Sequence, residues 1–381
     1  MSAKGPSEAG VAVSRSPVLR VGLCVEQLRR AVPGGIGTYA RGLIQGILEG
    51  ETKSPLEVTL CASKSNEEPD PLGRYGLALS LYSYPRFLEA LATEFGRTRL
   101  RAEVSVVHSV SIATPLCAPP MSATVHDLAW RVVPRAFPAH GRHWHERALH
   151  QAAKRCTRIV VPSLSVADAL ISSGVGIGAK RVVVIEEGAD HLPAPDDAAT
   201  KTLLGHLGVS GDFIMAVGTL EPRKNLKRLV AGYEKARASF PKPWPLVIAG
   251  PTGWGELPSG EDEGVIFAGR VDASVLSGMY ARARCVAYVP LVEGFGLPVV
   301  EAMRAGAPVV SSDVPSAAGA SELVDPYEIE DIALGLVRAA TDGARRDELR
   351  ERGRQRVLQL TWRKTALAHL ELWRAIADEW R

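Results

Sequence analysis

Short apolar runs, each ending in glycine, proline or a polar turn, alternate along this chain with segments whose apolar residues fall three or four apart. The runs Val18–Val25, Leu56–Ala62, Ala102–His108, Ser122–Leu128, Thr157–Pro162 and Arg181–Ile185 predict strands in the first half. In the second half Phe213–Val217, Leu246–Gly250, Val265–Gly269, Cys285–Pro290 and Pro308–Ser311 do the same. Helical spacing marks Thr38–Leu48 through Tyr39, Leu43 and Ile47, the segment after Ser163, and Leu226–Ala238. It returns from Pro298 to Gly306, over Asp331–Ala340 and from Thr361 to Trp380, whereas Leu77–Arg101 mixes one amphipathic helix with irregular polar sequence. Strand and helix in alternation predict α/β architecture with parallel sheets. The segment His191–Asp212 is rich in Pro, Asp and Ala and carries a short helix around Thr200–Leu207, so it reads as a linker. The expected organisation is a tail over 1–17, a Rossmann-like domain over 18–190, the linker over 191–212 and a second Rossmann-like domain over 213–360. A closing helix over 361–381 is expected to pack back on the first domain.

Bulk properties agree with two soluble domains. A chain of 381 residues is long for one core. Its net charge of +3 argues neither for nor against nucleic acid, and its five cysteines lie too far apart for a zinc or redox pair. No apolar run approaches the roughly 18 residues of a membrane span, and the first stretch lacks the apolar core of a signal peptide. A cytoplasmic protein is the expectation.

The candidate chemistry centres on Tyr288–Ser316. A strand passes through Glu293-Gly294-Phe295-Gly296-Leu297 into a helix for which Pro298 suits the first position. Glycines and a helix N-terminus offer free backbone N–H groups to phosphate. Glu293 and Glu301, eight residues apart, can accept hydrogen bonds from sugar hydroxyls beside it. An ordinary turn, with Glu301 drawn to the helix start by its dipole, is the plainer alternative. Gly34-Gly35-Ile36-Gly37 lies between the first strand and its helix, and Gly218-Thr219 follows Phe213–Val217 in the same way. Arg223 and Lys224 sit against the dipole of the helix they precede, which a bound diphosphate would make tolerable. His126 and Asp127 come at the carboxyl end of a strand, where doubly wound sheets bind ligands. Gly174–Ala179 mimics a dinucleotide fingerprint but follows a helix, the wrong context. Arg131–Arg158 carries seven Arg and Lys against the single acid Glu146, so it is either a solvated helix or a surface for an anionic membrane or lipid diphosphate.

The string EGFGLPVVEAMRAGAPVV closely resembles the E-x7-E signature of the retaining glycosyltransferases of family 4, which have the GT-B fold of two Rossmann-like domains facing each other across a cleft. The GGIG loop, the T-V-H-D run ending at Asp127 and the G-T-L-E-P-R-K-N loop extend the resemblance over nearly everything from Val18 onward. It implies that Glu293 meets donor-sugar hydroxyls and Glu301 the nucleotide ribose. His126 would reach the donor sugar, Lys224 would hold the diphosphate, and Gly34, Gly35 and Gly37 would face diphosphate and acceptor. Thr219 stands where many members have an arginine, and the resemblance to relatives with E-P-R-K-N implies that Arg223 would take that role. The E-P-R-K-N loop is similar to that of mannosyltransferases, which makes GDP-mannose the first donor expected, ahead of UDP- or dTDP-sugars.

No Asp-x-Asp motif of the kind that holds a metal against a sugar diphosphate is present, so no metal and no cofactor are expected. Leaving-group charge would fall to Arg223, Lys224 and helix N-termini. The family implies retention, and without an obvious carboxylate nucleophile a front-face displacement is expected. The acceptor would be a glycan, a lipid-linked sugar or a small metabolite. A nucleotide-sugar epimerase on the same fold and a non-catalytic sugar-nucleotide binder are the competing readings.

Overall fold

The computed structural model describes residues 17–50, 55–82, 100, 102–253 and 264–381. Among these, every strand pairing is parallel. The first sheet contains β1 (Leu19–Cys24), β2 (Leu56–Ala62), β3 (Ala78–Leu81), β4 (Val106–Ser109), β5 (Met121–Thr124), β6 (Arg158–Val161) and β7 (Val182–Val184). Their spatial order is β3-β2-β1-β4-β5-β6-β7. The second sheet holds β8 (Ile214–Val217), β9 (Leu246–Ala249), β10 (Val265–Gly269), β11 (Cys285–Tyr288), β12 (Val309–Ser311) and β13 (Glu322–Leu323) in the order β10-β9-β8-β11-β12-β13. Both orders reverse direction once, between β1 and β4 and between β8 and β11. In such sheets the crevice at that switch point is where ligands bind.

The helices that matter here are α1 (Gly34–Glu49), α2 (Ala139–Arg155), α3 (Leu164–Ile171), α4 (Asp197–His206) and α5 (Leu226–Arg237). They are followed by α6 (Ala273–Arg282), α7 (Leu297–Arg304), α8 (Ile329–Thr341), α9 (Gly343–Val357) and α10 (Trp362–Glu379). Capping follows the sequence: Ser163, Asp196, Asp342 and Thr361 each accept a backbone N–H in the first turn of α3, α4, α9 and α10. Helix α10 lies along α1, where Gly42 and Gly46 leave room for it. A Cβ at Gly42 would fall 2.1 Å from the Trp362 ring. Trp362 and Trp373 are fully buried, in a core that also takes in Tyr39 and Leu43 of the first sheet's layer and Phe295 and Met303 of the second's.

Several boundaries differ from expectation. Helix α1 begins at Gly34, so the GGIG glycines form its first turn. Pro33 already has helical φ, and its carbonyl accepts the Gly37 N–H at 3.1 Å. Strand β4 starts at Val106, not Ala102. Helices α6 and α9 had no counterpart in the sequence pattern. The segment 191–212 contains α4, the short helix expected there, and its Thr200 hydroxyl donates to the Val275 carbonyl of α6, so the linker is packed against the second domain. Most of Leu77–Arg101 lies outside the described residues. The basic stretch forms α2, but many of its cations are occupied. Arg131 pairs with Glu146, Arg142 with the Pro134 and Phe137 carbonyls, and Arg155 with the Thr114 carbonyl.

Candidate active site

The loops after β8 and β11 meet the loop after β5. Gly218 has a φ of +150°, a backbone conformation that residues with side chains rarely adopt, and the Lys224 stem lies close along the same loop. After one 3-10 turn, Asn225 adopts a φ of +60°, and its side-chain amide donates to the Val289 and Pro326 carbonyls at 3.1 and 2.6 Å. That anchor fixes where Arg223 and Lys224 enter the site. The Leu291 N–H donates to the Arg223 carbonyl at 2.9 Å and ties the β11 loop to the same turn.

Glu293 is the hub. Its Oε2 accepts from Lys224 Nζ at 2.7 Å, Arg223 Nη1 at 3.1 Å and the Tyr288 hydroxyl at 2.5 Å. Lys224 Nζ also contacts that hydroxyl at 2.5 Å, and Arg223 Nε reaches Glu221 Oε2 at 3.0 Å. Burial alone would push the Glu293 carboxyl up, but Lys224 and Arg223 beside it prevail and hold it at about 2. Burial likewise lowers Lys224, against the pull of Glu293, and Arg223 adds to the lowering. Arg223 ends up raised in spite of burial, because Glu293, Asp127 and Glu221 surround it. Asp127 belongs to the first sheet's loops, so this field already spans the cleft.

The EGFG loop itself touches the first domain. A Cβ on Gly294 would sit 1.7 Å from the His126 carbonyl oxygen, and the Ser163 hydroxyl donates to the Gly294 carbonyl at 2.8 Å. Gly296, at a φ of +101°, precedes α7, and its carbonyl accepts from the Ser316 hydroxyl at 2.9 Å. Phe295 and Leu297 are buried beneath the loop, and Thr219 lies half-buried after Gly218. Gly34 and Gly35 are exposed at the start of α1, while Gly37 is buried.

Two expected residues already have partners within the protein. His126 uses both ring nitrogens internally, Nε2 donating to the Val110 carbonyl at 2.9 Å and Nδ1 meeting Glu187 Oε1 at 3.2 Å. Burial opposes its charge, but the bond and charge of Glu187 raise its pKa above the usual histidine value. Glu301, on α7, takes a hydrogen bond from His191 Nε2 at 2.8 Å and another from the Tyr280 hydroxyl at 2.7 Å. Glu187, His191, Tyr280 and Tyr288 were not singled out in the sequence; the first three owe their roles to partners distant in the chain, whereas Tyr288 meets Glu293 five residues on. Tyr288 alone had a local signal, as the last strand residue before the loop. Among the described residues, no group of three or more His, Cys, Asp or Glu side chains is placed to hold a metal ion.

This geometry can present two part-buried cations at the start of α5 to a dianion, with carboxylates beside them for hydroxyls. Comparison with known proteins gives the arrangement a family. Residues 33–191 match Glycosyltransferase Family 4, and residues 211–342 match Glycosyl transferases group 1. The O-antigen chain mannosyltransferase B of Escherichia coli is 29% identical over 255 residues, 63% of this chain and 66% of that protein. The serotype-specific mannosyltransferase WbdA of Escherichia coli is 28% identical over 214 residues, 53% of this chain but only 25% of that protein. The match therefore spans less than two thirds of either relative. Among solved structures, Anabaena HepE in complex with UDP and glucose superposes with a TM-score of 0.69 over 94% of this chain and all of that one, at 17% identity. With two parallel sheets whose switch points face each other and a family match on each half, the chain belongs to the family 4, group 1 glycosyltransferases and has the GT-B fold.

Proposed function

We propose that the protein transfers a hexose from a nucleotide sugar to a glycan, lipid-linked sugar or small-molecule acceptor, with mannose from GDP-mannose as the donor to test first. The Lys224–Glu293–Arg223 cluster carries this reading. Two cations converge at a glycine loop and a helix start, and a carboxylate held ionised between them can accept from sugar hydroxyls. The mannosyltransferase relatives support the choice of sugar. In this reading Glu301 receives the ribose, Lys224 and Arg223 stabilise the departing diphosphate, and closure excludes water that would otherwise hydrolyse the donor. Configuration is retained by a front-face displacement in which the leaving phosphate oxygen helps take the acceptor proton. No metal takes part. The protein works in the cytoplasm, and the exposed Arg135, His140, His143 and Lys154 around α2 favour peripheral contact with an anionic membrane.

A thermal-shift screen against GDP-, UDP- and dTDP-sugars identifies the donor, followed by transfer assays with that donor. Stabilisation by GDP-mannose above the others is expected, and activity should persist in excess EDTA. Activity lost in EDTA and restored by Mn²⁺ would sink the metal-free account, and stabilisation by UDP-sugars alone would replace the donor.

A further inference from the structure

Glu301 is not a free acceptor waiting for a ligand, and one of the two side chains that hold it, His191, comes from outside its own domain. The chain crosses between the two domains twice, at Gly188–His191 and at Leu360–Trp362, and the crossings are strapped together. The Ala189 N–H donates to the Leu360 carbonyl at 3.0 Å, and the Trp362 N–H donates to Asp190 Oδ1 at 2.8 Å. A Cβ at Gly188 would come within 2.3 Å of the Trp362 backbone nitrogen, so no larger residue fits in the strap. His191 closes it on one side: the Trp362 indole Nε1–H donates to His191 Nδ1 at 3.2 Å. An indole nitrogen can only donate, so Nδ1 must accept, and the proton of the neutral ring lies on Nε2. That nitrogen then donates to Glu301 Oε1 at 2.8 Å, while the Tyr280 hydroxyl donates to Oε2 at 2.7 Å. The side chains of His191 and Glu301 are each 10% exposed, so the pair is mostly buried yet still reached from solvent.

We infer that His191 is a positioning residue for the donor site: the Trp362–His191–Glu301 relay fixes the orientation of the Glu301 carboxylate from the interdomain strap, so that its remaining lone pairs face the nucleotide ribose. The inference rests on the assignment of Glu301 to the ribose made above. A carboxylate has about four lone-pair sites, and the two donors here occupy one on each oxygen. Without His191 the buried carboxylate keeps only Tyr280 and can turn away from the ligand. The strap and the ribose acceptor would then no longer move as one piece.

The test is calorimetry of GDP, UDP and dTDP on the full chain. Variants are His191→Leu and His191→Gln, each with Glu301 and with Glu301→Ala, so that a double-mutant cycle is complete. With Glu301 present, His191→Leu should weaken the nucleotide that binds best by roughly tenfold, the scale of one hydrogen bond to a charged group. His191→Gln, whose amide can donate to the carboxylate, should recover affinity to within about threefold. In the Glu301→Ala background the loss on His191→Leu should vanish, which a general loss of stability cannot imitate. An equal loss in both backgrounds would make His191 a structural residue and overturn the relay. A loss on Glu301→Ala with none on His191→Leu would also overturn the relay, while leaving the ribose assignment standing. No loss on Glu301→Ala would remove the ribose assignment and the relay together.

Discussion

At Glu293 one carboxylate balances two buried cations, and that balance decides what single substitutions should do. Because Lys224 and Arg223 hold its carboxyl at about 2, Glu293 stays ionised throughout any working pH range. An acid limb in the activity profile above pH 4 must therefore come from another group. Glu293→Gln removes a negative charge from between the cations, so affinity for the free nucleoside diphosphate should hold or rise. Sugar transfer should fall by at least about tenfold, since a charged hydrogen-bond acceptor for the sugar is gone. Calorimetry alongside steady-state rates separates these outcomes, and a weakened free nucleotide would reverse the assignment of sugar to Glu293 and ribose to Glu301. Lys224→Ala acts in the other direction. Losing a cation that meets developing diphosphate charge should cost on the order of 3 kcal/mol in the transition state. Unchanged turnover at saturating donor, in a variant that still melts cooperatively, would leave Lys224 as a structural partner of Glu293 and nothing more.

The loops after β8, β11 and β5 were legible as elements because each follows a short apolar strand, and the first two carry glycines, a pattern local in sequence. What the elements do to one another was not. Helix α9 was missed because only Leu349, Gly353 and Val357 of its positions are buried, while its arginines and acids pair along its surface, which leaves no apolar stripe to read. The α1 boundary moved because Pro33 contributes a helical turn that the apolar spacing from Tyr39 onward does not show. His191 and Glu301 are 110 residues apart, and no spacing rule joins them. The Gly294 contact is of the same kind: its glycine was legible, its reason was not. Since a Cβ there would lie 1.7 Å from a backbone oxygen of the first domain, Gly294→Ala cannot be absorbed by a side-chain rotation. The variant should hold its domains further apart, giving a larger radius of gyration in solution scattering, and should bind nucleotide while turning over at least about tenfold more slowly, as expected when closure fails. Unaltered scattering with full turnover would show that this contact plays no part in closure.

Across the whole molecule, α10 fastens the far end of the chain to the first domain, and it does so partly through a histidine that must stay neutral. His369 is fully buried, with Nδ1 donating to the Thr365 carbonyl at 2.8 Å and Nε2 accepting from the Tyr39 hydroxyl at 2.8 Å. Burial pushes its pKa down to about 4, only partly opposed by the backbone bond, and burial likewise depresses the neighbouring His108. Unfolded, both rings would take a proton near the ordinary value of 6.5. Between about 6.5 and 4 the unfolded chain therefore binds protons that the native chain refuses, so stability is full above that window and is lost as pH falls through it. His126 has the opposite sign, since its raised pKa adds stability at low pH that fades as pH rises through its native value. Burial also lowers His145, so three depressed rings against one raised leave a net loss on acidification. His369→Gln keeps an acceptor for the Tyr39 hydroxyl and has nothing to titrate. Denaturant unfolding between pH 4 and 7 should show wild-type stability falling more steeply than the variant's, by about one proton, or roughly 1.4 kcal/mol per pH unit. Carboxylates titrate alike in both proteins and cancel in the comparison. Parallel slopes would mean that His369 takes up its proton as readily in the fold as outside it, and that α10 is fastened by Trp362 and Trp373 without a neutral histidine between them.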